Sequence, residues 1–459
     1  MKYQPVMGLE VHVELYTKSK MFCRCSADYF GKEPNTHVCP VCLGLPGALP
    51  VPNKQAIEWC LMIGLALNCQ APLFAKFDRK NYFYPDLPKG YQISQYDKPF
   101  CVNGYIQIGT KRIGITRAHM EEDTGKLTHA TVDGKKVSLI DFNRSGVPLV
   151  EIVTEPDFEN AQEVVFYLKR LQQIVRYLGV SKADMEKGDM RLEPNISLRP
   201  IRHPERSEGS KPRKDSSPSA QNDRMLPPYK VEVKNISSFK FVEKAIEYEI
   251  KRQSEILDRG ETPVQETRGY NEAKNITVSQ RSKEEAHDYR YFPEPDLPPF
   301  RFTQNQIRQL ASQLPEMPNA RFERFKKQYQ LSDYDAEILT RERGMADYFE
   351  EAAKAGKTKN LTPKQIANIL INKKPDITKI LPATLVKNYV AATQKATVSD
   401  EELTKAVDEV VKENAKAVTD YKGGRENALM FLVGQVKRKL GATIDANSVK
   451  FFLEKKLNS

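Results

Sequence analysis

The chain has 459 residues, a length that allows two to four domains and at least one large hydrophobic core. Its formal net charge of +11 and sequence pI near 9.0 favour an anionic partner, with nucleic acid as the first expectation. The sequence contains no signal-peptide pattern and no apolar run of membrane-spanning length. We therefore expect a cytoplasmic protein without a membrane partner.

The first predicted strand, Leu9–Leu15, alternates apolar and polar residues. At the strand period of two, Glu10, His12 and Glu14 share the face opposite the leucines and valines. Carboxylates and an imidazole in one row can bind a metal ion when other segments supply further oxygen ligands. The alternative is a half-buried antiparallel strand with a solvated polar face, which this stretch favours when it is read alone.

Seven cysteines lie within the first 101 residues, an odd number that suits a reducing compartment better than a disulfide framework. Two close pairs, separated by thirteen residues, are formed by Cys23, Cys25, Cys39 and Cys42. Four thiolates on two turns predict a closed, structural, tetrahedral zinc site over residues 23–42. Buried reduced thiols are the alternative interpretation.

Cations are interleaved with aromatic residues over Phe77–Pro85, which includes Lys80, and again over Lys89–Gln92. Such a pattern suits stacking of a splayed single-stranded nucleic-acid end together with neutralisation of its phosphates. An aromatic core patch beneath a charged loop explains the pattern equally well. The sequence has no Walker phosphate loop, no dinucleotide glycine fingerprint and no amidase-type stretch. If nitrogen transfer takes place here, another chain would have to release the ammonia.

Acidic residues recur along the rest of the first 235 residues, and the candidate ligands among them are Glu121, Glu122, Glu151, Glu193 and Glu232. The three consecutive acids at 121–123 repel one another unless a cation or a basic partner lies beside them. Together with Glu10 and His12, these oxygens are enough to hold one or two magnesium ions on the phosphates of a nucleotide. Pro194, next to one of these acids, suggests an edge strand or a bulge.

Three domains are predicted. Residues 1–295 combine strands with long connections, interrupted at 201–228 by a polar, proline-rich segment that we expect to be a disordered surface insertion. Residues 296–397 are charged, poor in glycine and helical in period. Ser399 opens a capping box, which places the start of a small helical tail near residue 398 and extends it to 459.

With these residues assembled, the chain resembles the B-subunit (GatB) family of bacterial aspartyl/glutamyl-tRNA(Asn/Gln) amidotransferases over nearly its whole length. The matching runs are Gly8–Leu15, Lys76–Asp86, Tyr91–Gln95, His119–Asp123, Asn195–Pro200, Asp288–Asp296 and Phe431–Gln435. The resemblance implies an α+β multidomain protein with a β-rich, cradle-shaped catalytic domain, a helical domain and a YqeY-like tail. The archaeal glutamyl-only E-type is disfavoured, because its large inserted domain would not fit within 201–228.

The resemblance also implies a carbon–nitrogen ligase that uses glutamine as its amide donor. ATP would phosphorylate the side-chain carboxylate of Glu-tRNA(Gln), Asp-tRNA(Asn) or both, and ammonia from a glutaminase A subunit would displace the phosphate. A small C subunit would complete a heterotrimer, and the cradle and tail would contact the tRNA. The alternative is a catalytically silent tRNA-binding scaffold of such a complex.

Site residues are carried over from the family motifs position by position. His12, Glu121 and Glu151 resemble the family's magnesium ligands, and Glu10 with Glu193 resembles a second cation site. Lys80 resembles an active-site lysine that meets phosphate or the tRNA end. Glu122 and Glu232 are neighbouring acids expected at the nucleotide. Zinc on the cysteine quartet would stabilise the domain without taking part in catalysis.

Overall fold

The computed structural model describes five stretches of the chain: 2–201, 226–282, 289–393, 399–440 and 445–457. The chain forms two compact units, Met1–Arg321 and Phe322–Ser459. Apart from residues 201 and 226–228, the predicted insertion lies outside the described residues. The predicted domain boundaries near 295 and 397 stay predictions. None of the helices in the described stretches has the length and apolar character needed to cross a bilayer.

The first unit contains the strands. They are β1 (Tyr3–Glu14), β2 (Phe74–Ala75), β3 (Asp78–Asn81), β4 (Tyr91–Ser94), β5 (Cys101–Ile108), β6 (Lys111–Glu122), β7 (Lys126–Val132), β8 (Lys135–Asp141), β9 (Pro148–Thr154), β10 (Met190–Pro200), β11 (Val231–Lys234), β12 (Glu266–Asn271), β13 (Ile276–Ser282), β14 (Phe292–Pro293) and β15 (Phe300–Arg301). Eight of them form one mixed sheet in the order β13-β12-β11-β10-β1-β9-β6-β5. Every neighbouring pair in this sheet is antiparallel except β11 and β12, which are parallel.

Helices connect the strands and make up the second unit. They are α1 (Lys54–Ala66), α2 (Ala161–Leu178), α3 (Phe239–Asp258), α4 (Gln304–Ser312), α5 (Pro318–Tyr329), α6 (Asp333–Thr340), α7 (Arg343–Lys357), α8 (Pro363–Lys373), α9 (Pro382–Thr393), α10 (Asp400–Glu413), α11 (Ala415–Lys422), α12 (Glu426–Leu440) and α13 (Ala446–Leu457). The capping box predicted at Ser399 is present at the start of α10.

One face of the large sheet is covered by helices. The apolar residues of β1 alternate strictly with its polar ones, and they are buried in the same core as the inward faces of α2 and α3. Helix α2 begins at the side chain of Asn160, which accepts a hydrogen bond from the Glu163 amide, and ends at Gly179 in the left-handed region. Because the helices take one face, polar residues of β1, β9 and β10 such as His12, Glu151 and Glu193 are left on the other.

The second unit is entirely helical within its described residues and has two hydrophobic clusters of its own. One cluster lies within residues 325–390 and the other within 403–457. A mixed sheet with helices, followed by a helical region, confirms the predicted α+β multidomain class. The expectation of an edge strand or bulge at Pro194 is wrong, because β10 lies between β1 and β11 in the middle of the sheet.

Candidate active site and metal centres

The polar face of the large sheet is where the predicted acids meet. In β1, His12 stands directly opposite Glu151 of β9 and Arg191 of β10. Two residues earlier, Glu10 stands opposite Glu193 of β10. Because the side-chain period of a strand is two, all five side chains point away from the core. Register alone therefore places residues from distant parts of the sequence side by side.

The first cluster contains His12, Glu121 and Glu151, whose candidate ligand atoms all lie within 4.8 Å of one another. His12 Nε2 is 3.6 Å from Glu151 Oε2 and 3.9 Å from Glu121 Oε2. A second imidazole, His119, lies beneath them with Nε2 at 3.3 Å from Glu151 Oε2 and 3.6 Å from Glu121 Oε1. Lys80 Nζ approaches Glu121 Oε1 to 3.6 Å from the opposite side.

Hydrogen bonds hold Glu121 in place. Ser94 Oγ donates to its Oε1 at 2.7 Å and Gln92 Nε2 donates to its Oε2 at 3.1 Å. Arg117 Nε donates to Nδ1 of His119 at 3.3 Å, so the other nitrogen, Nε2, faces the carboxylates as a donor. This arrangement fixes the carboxylate of Glu121 before any ligand arrives.

Charges dominate the protonation of this cluster. Burial lowers the pKa of His12, but its hydrogen bond to Glu151 and the charges of neighbouring carboxylates outweigh burial and raise the pKa to about 9. Burial raises the pKa of Glu121, yet the Lys80 charge and the hydrogen bond from His119 reverse the effect and lower the pKa to about 2. The cluster is therefore strongly anionic apart from these cations, which is the electrostatic requirement for holding a divalent ion.

A second acidic cluster lies beside the first and consists of Glu10, Glu193 and Glu232, with oxygen atoms again within 4.8 Å of one another. Lys234 Nζ is 2.9 Å from Glu193 Oε2 and 3.7 Å from Glu232 Oε1. Asn195 Nδ2 donates to Glu10 Oε1 at 3.0 Å. All three acids are half-buried, and their donor set of hard oxygens suits magnesium, manganese or calcium.

One cavity of about 560 Å³ joins the two clusters to the predicted lysine and to several tyrosines. Lys80 Nζ lies 5.3 Å from the ring centre of Tyr289 and 5.9 Å from that of Tyr82, within range of a cation–π contact. Tyr291, which also lines the cavity, stacks on Tyr96 with ring centres 4.4 Å apart. The cavity thus brings together acids, basic side chains that include Lys80, and aromatic rings.

Glu122 is not brought to this cavity. Since β6 alternates its side chains, Glu122 points to the opposite side from Glu121 and forms an ion pair with Lys89 at 2.7 Å. Its other contact is with the backbone amide of Ile93, which donates to Oε1 at 3.0 Å. Glu122 lines a separate cavity of about 170 Å³ that also includes Cys42.

The cysteine quartet assembles as its spacing predicts. The sulfur atoms of Cys23, Cys25, Cys39 and Cys42 all lie within 4.8 Å of one another. The Cys39 amide donates to Cys42 Sγ at 3.1 Å, the kind of N–H···S contact that steadies a metal-bound thiolate. Four sulfur donors at this spacing fit a tetrahedral zinc ion.

A fully buried lysine lies behind the quartet. Lys20 Nζ donates to the carbonyl oxygens of His37 at 2.7 Å and Phe142 at 3.4 Å, and it is 3.6 Å from Cys42 Sγ. The hydrogen bond from Cys23 and the Lys20 charge help to lower the pKa of the Cys42 thiol to about 4. Because a buried ammonium needs a counter-charge, Lys20 favours an anionic quartet over four neutral thiols.

Sequence reasoning overlooked several residues that contact the two clusters, chiefly His119, Lys234 and Asn195. Each stands two residues from a predicted ligand on the same strand: His119 from Glu121, Lys234 from Glu232, and Asn195 from Glu193. The period-two rule that selected the acids would also have selected these neighbours.

Comparison with known proteins identifies the family of the chain. A family model described as the GatB/GatE catalytic domain matches residues 5–308, and one described as the GatB domain matches residues 384–457. The B subunit of the aspartyl/glutamyl-tRNA(Asn/Gln) amidotransferase from Caldanaerobacter subterraneus subsp. tengcongensis is 47% identical, with 96% of each chain covered. The proteins of the same name from Carboxydothermus hydrogenoformans and Dehalococcoides mccartyi strain 195 are each 45% identical, with 99% of each chain covered. The resemblance inferred from the motifs is confirmed, and the chain belongs to the B-subunit (GatB) family of aspartyl/glutamyl-tRNA(Asn/Gln) amidotransferases.

Proposed function

We propose that this chain uses ATP to phosphorylate the side-chain carboxylate of Glu-tRNA(Gln), Asp-tRNA(Asn) or both, and then amidates it with ammonia. The observation that supports this proposal most directly is the convergence of two acidic clusters and Lys80 in one cavity. A carboxylate needs activation before an amine can replace its oxygen, because hydroxide and oxide are poor leaving groups. The acyl phosphate provides a good one.

The proposed reaction has two steps. A carboxylate oxygen attacks the γ-phosphorus of ATP, the bond to the β,γ-bridging oxygen breaks, and ADP leaves. Ammonia then attacks the acyl carbon, phosphate leaves with the electrons of the carbon–oxygen bond, and the nitrogen loses a proton. The protein's share of the acceleration is positioning and electrostatic stabilisation, since phosphoryl transfer needs little covalent help.

Magnesium fits the donor atoms at both clusters. His12, Glu121 and Glu151 would hold one ion through an imidazole nitrogen and carboxylate oxygens, and Glu10 with Glu193 would hold a second, beside Glu232. When bound, magnesium supplies positive charge that orients the nucleotide phosphates. Lys80 would add a fixed ammonium, because the Glu121 charge outweighs burial and keeps the pKa of Lys80 well above its ordinary value. On the cysteine quartet we propose structural zinc.

The tyrosines give the cavity a place for a nucleotide base. Tyr289 exposes 38% of its surface, and Tyr82 contacts it edge to face with ring centres 5.8 Å apart. A terminal adenosine of tRNA or the adenine of ATP could stack on such a ring while Lys80 meets a phosphate or the reacting carboxylate. The net positive charge of the chain favours tRNA as the macromolecular substrate.

Partners follow from the chemistry and from the family. Because the sequence shows no amidase-type stretch, the proposal assigns the release of ammonia to another chain. We propose a heterotrimer in which the A subunit hydrolyses glutamine and the C subunit joins it to this chain. Its expected location is the cytoplasm, where tRNA is aminoacylated.

Reconstitution with the A and C subunits tests the proposal. The complex should convert mischarged tRNA to the amide form only when glutamine and ATP are both present, with one ADP released per amide. The double variant Glu10→Ala/His12→Ala distinguishes a catalytic subunit from a silent tRNA-binding scaffold. Full amidation by that variant would support a silent tRNA-binding scaffold; loss of ADP release, with tRNA binding kept, supports a catalytic role.

A further inference from the structure

We propose that Lys234 is a tethered cation that occupies the second acidic cluster in the ion-free protein and leaves it when a divalent ion binds. The proposal rests on the proposed function in one respect, because it concerns the cation site of that same cavity. It identifies Lys234 as a positioning residue that sets how tightly the cluster binds its ion.

The position of the ammonium is the first observation. Lys234 Nζ lies 2.9 Å from Glu193 Oε2 and 3.7 Å from Glu232 Oε1, so it stands where a cation shared by these carboxylates would stand. The cluster oxygens lie within 4.8 Å of one another, which leaves room for one cation among them. An ammonium and a divalent ion would also repel at that distance. Occupancy by one therefore opposes occupancy by the other.

An unpartnered oxygen is the second observation. Asn195 Nδ2 donates to Glu10 Oε1, which fixes the orientation of the amide, and Asn195 Oδ1 is then a buried atom to which none of the described residues donates a hydrogen bond. Buried acceptors are rarely left unsatisfied, so this atom marks an incomplete site. Lys234 satisfies two of the acids and leaves Oδ1 without a donor. An amide oxygen is a good ligand for magnesium, manganese or calcium, and Asn195 would offer one beside Glu10.

Strand geometry explains how Lys234 reaches the cluster and how it can leave. The ladder between β10 and β11 contains only the pairs Asn195–Glu232 and Ile196–Val231. The next residue of β10 is Pro194, which has no amide hydrogen to extend the ladder. Beyond it Lys234 is free to lean over Glu193, and its side chain is 38% exposed to the cavity. Moving the ammonium into that cavity keeps it hydrated.

A nucleotide would then help the exchange. The cluster carries three carboxylates against one ammonium, and the same cavity is the proposed site of the ATP phosphates. Phosphate oxygens offer the displaced ammonium a new anionic partner, as they do for other phosphate-binding lysines. Ion binding and nucleotide binding are therefore coupled through Lys234.

Manganese titration of the purified full chain tests the proposal. Free Mn²⁺ is followed by electron paramagnetic resonance, and Glu193→Gln identifies which binding class belongs to the second cluster because that class should disappear. Lys234→Met should tighten this class by roughly tenfold, since a competing charge is removed. Unchanged or weaker binding in Lys234→Met would overturn the proposal.

Lys230→Met is the matched control. Lys230 lies four residues earlier, lines the same cavity, is exposed, and forms no ion pair within 4.0 Å among the described residues. Its removal changes the net charge equally but vacates no site, so Mn²⁺ affinity should stay within about twofold. If both variants bound Mn²⁺ more tightly by the same factor, the effect would come from the net charge alone. Lys234 would then not be a tethered competitor of the ion.

Lysine labelling measures the displacement directly, without a substitution at Lys234. Acetylation of Lys234, followed by mass spectrometry, should accelerate when Mn²⁺ is added to the natural chain and should not change in Glu193→Gln. A rate unaffected by Mn²⁺ in the natural chain would show that the ammonium stays in place. Neither experiment contains ATP or tRNA, so failure of the amidation assay and failure of this proposal are separate results.

Discussion

The cysteine quartet and the acidic face are two ion-binding regions built on opposite principles. The quartet takes all its donors from residues 23–42, and they are chemically identical. The acidic face takes its donors from β1, β6, β9, β10 and β11, and they mix imidazole, carboxylate and amide groups. The first can be assembled by two turns, whereas the second exists only when the sheet has its native register.

The lysines of the cysteine quartet and of the acidic face also differ in their surroundings. Lys20 is fully buried, donates to two carbonyl oxygens and lies 3.6 Å from one sulfur, that of Cys42. Lys80 and Lys234 sit among the carboxylates themselves and face the cavity. A closed site uses its lysine to balance charge, whereas an open site uses lysines that can meet a substrate.

The largest effect is expected from Glu121→Gln, which tests whether the acidic face performs chemistry. The substitution keeps the shape of the side chain and removes the charge that both imidazoles and Lys80 surround. ATP-dependent amidation by the reconstituted complex should fall by about 10²–10³-fold, the usual cost of losing one preorganised electrostatic group. ADP release and amide formation are measured together.

Glu247→Gln provides the control, because Glu247 is an exposed acid of α3, on the helical side of the sheet. It should amidate at the natural rate. If Glu121→Gln amidated at the natural rate, the acidic face would not be catalytic. It would then not differ in this respect from the cysteine quartet.

Cys39→Ser tests the closed site and should have the next largest effect. Loss of one of four thiolates should reduce the zinc content from about one ion per chain to nearly none. The thermal midpoint should fall by roughly 10 °C, because metal binding energy contributes to folding. Amidation assayed well below that midpoint should persist. A natural chain that contains no zinc after purification in zinc-supplemented buffer would contradict the assignment.

Lys20→Met tests the role of the buried lysine in the quartet. Removing the ammonium leaves the thiolates and the zinc uncompensated, so zinc affinity measured against a chelator should weaken by about 10–100-fold. Lys18→Met is the matched control, since Lys18 is exposed on the same segment. If both variants bound zinc equally well, the charge balance proposed for Lys20 would be wrong.

The sequence predicts the closed site better than the open one, and the reason is physical. Cys23, Cys25, Cys39 and Cys42 could be grouped from spacing alone, because short loops force their side chains together. Glu10 and His12 could be placed on one face, but nothing local specifies that Glu151 and Glu193 stand opposite them. That information lies in strand order, which periodicity does not contain. The family resemblance supplied the candidate ligands without it.

The alternation of side chains along a strand also explains why individual residues could not all be assigned from the sequence. Glu121 and Glu122 are adjacent in sequence and equally acidic, yet the pleat of β6 sends one to the cavity and the other to Lys89. Pro194 suggested an edge or a bulge, whereas β10 is central and pairs with β11 over only two residues beyond the proline. The sequence could not reveal that the ladder stops there, because strand length depends on the partner.

The smallest effect is expected at Glu14, which shares the strand face of Glu10 and His12 but joins neither cluster. Burial, followed by the charge of Asp123, raises the pKa of Glu14 to about 8, while Arg144 and Arg191 help to hold the pKa of Asp123 below its ordinary value. The neutral form of Glu14 is therefore favoured in the fold. The pKa of Glu14 is higher in the folded protein than in the unfolded chain, where it lies near 4.5. The stabilisation by neutral Glu14 is therefore fully present below pH 4.5 and is lost as the pH rises through 8.

Glu14→Gln makes that neutral state permanent and keeps an oxygen that can accept the hydrogen bond from Tyr29. Between pH 5 and pH 9 the natural chain should lose on the order of 2 kcal/mol more unfolding free energy than the variant. Thermal midpoints across this range measure the difference, with Glu58→Gln, at a half-buried acid of α1 that pairs with Lys54, as the control that should follow the natural chain. Parallel curves for all three proteins would mean that Glu14 is ionised, and that a second carboxylate of β1 belongs with the cation-binding acids after all.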